Sequence, residues 1–201
     1  MEKNRIEAFS DGVIAIIITL LVLELKVPHI EGEINSGIIL SKLTALSPKF
    51  LSWAVSFFMV LIMWVNHHRI FSELKSSSNG LLWINGLLLF GMSFVPFPTA
   101  FMGDFFSEPI AMSFFGICLA FVGLTFFLLR LYLYKNPSLY KDTTDIQNNK
   151  KLLKRTLISP ILYSLGAVSS FFSVYFAFTL YFLIPIYFIF FGTEKKKGIQ
   201  K

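Results

Sequence analysis

Ser10, Asp11, Trp64, His67, His68 and Asn85 are the side chains whose types and spacing allow polar chemistry in an otherwise greasy sequence. Asp11 heads the apolar run in "RIEAFSDGVIAIIITLLVLEL", and "WVNHHRIF" carries Trp64, His67, His68 and Phe71. Those four are spaced i, i+3, i+4 and i+7, so three of them share one helix face. A carboxylate, a hydroxyl, imidazoles and an indole N–H can satisfy one another there, with Asn85 as a further partner. An ionised Asp inside a bilayer costs roughly 2.5–3.5 kcal/mol on insertion scales, so it is expected to point into protein. The expected role is therefore a structural hydrogen-bonded cluster. Metal ligands on one helix sit at i and i+4, whereas His67 and His68 are adjacent and no cysteine lies near them, so neither a metal nor a cofactor is expected. Arg5 stands about 9 Å of helix rise from Asp11, too far to pair with it directly. If Arg5 pairs, it pairs with another element or another subunit.

The elements that hold these groups follow from composition. The chain has 201 residues, 55% of them hydrophobic and 24 of them Phe, with mean hydropathy +0.67. That is more apolar surface than a soluble domain of this size can bury. The expected class is an all-α integral membrane protein of six transmembrane helices in a single domain, with spans at 9–27, 50–68, 81–101, 110–134, 156–171 and 174–192. The break between the last two falls within 169–173. Residues 28–50 form an outer connection with a short amphipathic helix around 38–46, residues 135–155 a cytoplasmic connector, and residues 193–201 a solvated tail. Lys3 and Arg5 ahead of the first apolar run imitate a signal peptide. Asp11, and the lack of small residues at Leu23, Glu24 and Leu25, make it a retained helix instead. Pro96 and Pro98 in "SFVPFPTAF" are expected to disrupt the third span near its outer end, while Pro160 and Pro185 read as kinks.

Charge sets the orientation. With both termini on one side, that side carries all of the 18 Lys and Arg except Lys26, Lys42 and Lys49. The positive-inside rule places it in the cytoplasm of a cell-membrane protein. The net charge of +6 then reads as a topology signal, with anionic lipid headgroups as the partner at that face. Nucleic acid is not an expected partner, because the basic residues flank spans and form no patch on a soluble domain. The lone Cys118 lies within the fourth span and reads as a small buried apolar residue.

The first helix separates its polar and apolar residues by angle. At 100° per residue, with Ile16 at the origin, Leu20 falls at about 40°, Leu23 at about −20°, Gly12 at about −40° and Thr19 at about −60°. Asp11 falls at about −140° and Glu24 at about 80° on the same scale. The aspartate and the aliphatic stripe thus face different surroundings.

The segment "RIEAFSDGVIAI" with "TLLVLEL" behind it, and Trp64 with His67 and His68 in the second span, resemble the lysosomal potassium channel family and its bacterial six-helix branch. That family is marked by an Arg, a Phe-Ser-Asp triplet and the helix that follows, here Arg5 and Phe9, Ser10 and Asp11. The resemblance implies a homotetramer in which first helices line a pore for potassium ions, narrowed by a ring of aliphatic side chains. Carried over, the constriction is Ile16, with Leu20 and Leu23 above it, and Thr19 forms the layer that favours potassium. Arg5, Phe9, Ser10, Asp11, Trp64, His67, His68 and Asn85 become scaffold. Glu24 is expected at the outer mouth, concentrating cations or else lying against lipid.

Other function classes fare worse. No "TVGYG" loop is present, so a filter of backbone carbonyls is not expected. Neither "HExxH" nor "GxSxG" occurs, which argues against an enzyme. A secondary transporter of a cation or small solute is the alternative, but it calls for internal repeats and ionisable residues deep in the bundle. Beyond Asp11 and Glu24 the sequence offers almost none.

Overall fold

The structure, a computed structural model, describes residues 2–190 other than 31, 33 and 145; the expected tail, with Lys195, Lys196, Lys197 and Lys201, lies outside the described residues. It is all-α. The helices are α1 (Lys3–Val22), α2 (Ser36–Ala45), α3 (Ser47–Ser72), α4 (Asn79–Ser93), α5 (Pro96–Asp104), α6 (Pro109–Lys135), α7 (Ile146–Thr156), α8 (Ile158–Ser169) and α9 (Val174–Phe190). Among the described residues, three stretches are long and apolar enough to cross a membrane: α3, α4 continued by α5, and α6. Helix α1 is as long as a span needs to be, but Arg5, Glu7 and Asp11 interrupt its apolar composition.

Helix ends follow local chemistry. The first helix begins at Lys3 and stops at Val22, five residues short of the boundary expected from hydropathy at 27. Leu23 N–H and Glu24 N–H turn back to the carbonyls three residues before them, tightening the last turn as helix ends do. Pro28 then holds Val27 away from helical geometry. Between α4 and α5 the chain bends at Phe94 and Val95, since Pro96 brings no N–H and crowds the preceding turn. The apolar run at 156–171 is a helix of 12 residues, preceded by the basic helix α7 with Leu157 alone between them.

Helix α6 sits at the centre, packed against α4, α5, α7, α8 and α9. Its tightest neighbour is α8, and close approach there depends on glycine. A Cβ at Gly116 would meet the Tyr163 carbonyl of α8 at 2.9 Å and one at Gly123 the Pro160 ring at 3.1 Å, while Tyr181 of α9, whose hydroxyl donates to the Met112 carbonyl at 3.1 Å, fills the space between Gly116 and Gly166. Lipid tails are as apolar as the helices, so such small-residue contacts rather than hydrophobicity bring spans together. Helix α1 packs at the periphery, on α3, α4 and α5.

One end of the bundle is basic and is closed by a clasp. Lys75 N–H donates to the Leu139 carbonyl and Lys141 N–H to the Glu73 carbonyl, both at 2.9 Å, around a single bridge between Leu74 and Tyr140. Lys75 pairs with Asp142 at 2.6 Å, and the hydrogen bond and charge of that ammonium hold the Asp142 carboxyl below its ordinary value. At the opposite end Lys49 pairs with Asp104.

Candidate functional site

Helix α1 has two apolar faces, and the fold uses them differently. Ile6, Ser10, Ile14, Ile17 and Leu21 recur every third or fourth residue and are buried within the chain. The other stripe is uncovered: Ile16 is 58% exposed, Leu20 42% and Leu23 66%. Gly12 and Thr19 share that exposed face, and a Cβ built on Gly12 would touch nothing within 4 Å. The Thr19 hydroxyl donates to the Ile16 carbonyl at 2.8 Å. Its proton is thereby directed back to the helix, and its remaining oxygen lone pairs are turned outward.

Polar groups of α1 near the basic end are tied to α3 and α4. Trp64 Nε1–H donates to Asp11 Oδ1 at 2.9 Å. The Ser10 hydroxyl donates to the Ile6 carbonyl at 2.8 Å, which leaves its oxygen to accept from Asn85 Nδ2 at 2.9 Å. Asn85 Oδ1 then lies 2.8 Å from His67 Nε2, which the chain of donors makes an N–H. The His67 ring stacks on Phe71 with centroids 4.3 Å apart, and its Nδ1 is buried without a hydrogen-bond partner among the described residues. Ser10, His67 and Asn85 are all fully buried. Buried from solvent, each link among these three is costly to break, because the groups left behind find no substitute partner.

The two histidines part company. His67 turns inward to Asn85, whereas His68 is exposed, stacks on Trp64 and lies 3.4 Å from Glu7 Oε1. Glu7 also pairs with Lys3 at 3.3 Å. Sequence reasoning passed over Glu7, although Lys3 and Glu7 at i and i+4 are an ordinary helix pair. Arg5 and Phe9, grouped with the polar cluster by resemblance, are exposed, and neither touches Asp11 through any hydrogen bond or ion pair among the described residues. No group of three His, Cys, Asp or Glu side chains among the described residues is arranged to hold a metal. Glu24 lies past the end of α1 on the wall of a cleft of about 480 Å³ shared with Leu20, Leu23, Phe97 and Asp104.

Comparison with known proteins places this geometry. Residues 5–96, which contain all of α1 but its first two residues, α3, α4 and the whole polar cluster, match the family profile described as endosomal/lysosomal potassium channel TMEM175. A potassium channel of Chamaesiphon minutus is 40% identical over 178 residues, covering 87% of each chain. The chain belongs to the TMEM175 family. It is accordingly a multi-pass helical membrane protein. The crystal structure of a lysosomal potassium-selective channel TMEM175 homolog from the same organism matches with a TM-score of 0.80 and 35% identity, over 93% of this chain and 96% of that one. The human endosomal/lysosomal proton channel TMEM175 is 37% identical over 94 residues, 44% of this chain and 19% of its own length.

Proposed function

We infer that the chain is a potassium-permeable cation channel whose narrowest point is a ring of apolar side chains from α1. Four copies assemble around one axis as a homotetramer, each contributing six spans, with α1, α8 and α9 added to α3, α4–α5 and α6. Both termini lie in the cytoplasm, and the clasped basic end faces anionic lipid headgroups of the cell membrane. The observation that carries this reading is the division of α1 into one stripe buried by its own subunit and a second that is left open, where Gly12 and Thr19 accompany Ile16, Leu20 and Leu23. A face meant only for lipid has no need of a glycine or of a hydroxyl with outward lone pairs.

The mechanism follows from hydration. Four Ile16 side chains meeting on the axis exclude water and offer a cation nothing in exchange for its hydration shell, so the pore is shut by dewetting. Opening moves those side chains outward until a hydrated or partly hydrated ion fits. The four Thr19 oxygens replace some of the lost waters, which favours potassium over sodium because potassium sheds water at lower cost. Glu24, four carboxylates around the outer mouth, raises the local cation concentration. Phe9, Ser10, Asp11, Arg5, Trp64, His67, His68 and Asn85 serve the placement of α1, not permeation.

Single-channel recording from the purified protein in a planar bilayer tests the proposal. Discrete openings that carry many potassium ions down their gradient are expected; a small saturating current without discrete openings would instead mark a carrier.

A further inference from the structure

At the basic end, a cavity of about 80 Å³ opens between α3, α6, α7, α8 and α9, away from α1. Its polar wall holds Asn66, Arg130, Arg155 and Ser159, and its apolar end reaches Met59 and Phe126. Arg130 lies about 8 Å of helix rise inside the end of α6, and Met59 about 20 Å inside the end of α3. The lining thus runs from headgroup depth towards the middle of the span. No hydrogen bond or ion pair holds the Arg130 guanidinium among the described residues. Glu73 and Tyr140 act on it electrostatically, but Glu73 is not within ion-pair distance. The Tyr140 phenol, pushed up to about 12 chiefly by its burial, is uncharged at neutral pH and supplies no counter-ion.

A guanidinium left without a bonded anion inside a span is expensive, and intramembrane cations are ordinarily paired. Arg presents a planar fork of donors suited to phosphate. We propose that this cavity is a binding site for the phosphate head of an anionic phospholipid from the inner leaflet, with Arg130 as its principal ligand. Arg155, Asn66 and Ser159 surround the same head group. The cavity is too small for a whole lipid; it takes the head group and the first methylenes, which lie against Met59 and Phe126. That apolar end is what distinguishes a lipid from free phosphate, which has nothing to place there. Occupancy joins α6 to α7, α8 and α9 at a position where no described residue supplies the Arg130 guanidinium with a bonded anion.

Native mass spectrometry of the purified full-length protein, delipidated and then titrated, reads the site directly. Phosphatidylglycerol is expected to be retained and phosphatidylcholine not, with inorganic phosphate unable to displace the lipid. Arg130→Gln is expected to weaken phosphatidylglycerol on the order of 30-fold, the loss of a charge-assisted bond. Lys154→Gln, which removes an exposed charge at the same level without lining the cavity, is expected to weaken it by less than about fivefold. Equal retention of both lipids, displacement by inorganic phosphate, or equal loss in the two variants would overturn the proposal. If Arg130→Gln gives no protein, the competition on the unmodified chain decides by itself. The measurement involves no ion current, so its outcome is separate from that of the channel reading.

Discussion

Along α1, the first half binds Ser10 and Asp11 to α3 and α4 through a chain of hydrogen bonds, whereas the second half leaves Ile16, Thr19, Leu20 and Leu23 uncovered. The two halves differ in what a substitution can disturb. In the first, a polar atom removed from Ser10, Asn85 or His67 orphans another that is buried, and one removed from Asp11 orphans the Trp64 indole N–H; in the second, the side chains have few contacts to lose within the subunit. Stability and permeation are therefore expected to separate along one helix.

Asp11→Ala gives the sharpest break. It leaves the Trp64 indole N–H without its acceptor and removes a charge-assisted bond of about 1.5–3 kcal/mol, so the yield of assembled protein on gel filtration should fall by about tenfold or more. A normal yield with lost ion preference would move Asp11 from scaffold to permeation path and erase the contrast. Ile16→Asn is the complement. Ile16 makes few contacts within its own subunit, so each subunit should still fold while the resting conductance rises several-fold, about the effect of wetting an apolar waist. Unchanged conductance would remove Ile16 from the narrowest ring.

Thr19→Val tests the same face more gently. Replacing the outward oxygens by a methyl is expected to lower the potassium-to-sodium permeability ratio roughly two- to fivefold, measured as a shift in reversal potential, with conductance retained. The smallest effect belongs to an ion pair in water. Asp142, whose carboxyl is held down by Lys75, supports the clasp above the ordinary carboxylate range. That support disappears only as the pH falls through the lowered value. Because both partners are exposed, Asp142→Asn should leave melting at neutral pH unchanged within error and speed amide exchange at Lys141 only slightly. A large loss would mean that the clasp, not the α1 cluster, holds the basic end together.

The sequence reading had the partner of Asp11 within reach, because the i, i+3, i+4 spacing of Trp64, His67 and His68 confines candidates to one end of one helix. It had no means of assigning roles within that group. Adjacent residues on a helix point about 100° apart, so one histidine had to face inward, and nothing local says which. The packing of Asn85 against His67 decides it. Arg5 and Phe9 joined the cluster by resemblance but stand exposed on the single subunit, which leaves other copies or lipid as their surroundings. In the sequence Arg130 is one of the topology charges; its place on a cavity wall depends on α7, α8 and α9 folding around it.

What the sequence determined by itself is one-dimensional: where apolar runs are long enough to leave water, which ends are basic, and where prolines and charges interrupt a helix. Hydration energies act residue by residue, so these can be summed along a chain. The angle of Asp11 already sets it apart from Ile16, Leu20 and Leu23; what only the tertiary structure decided is that Ile14, Ile17 and Leu21, equally hydrophobic, are the side chains buried within the subunit. Periodicity cannot rank two greasy faces. Ser10 and Asp11 break the tie, since their hydrogen bonds to Asn85 and Trp64 fix the rotation of the helix and leave the other stripe outward.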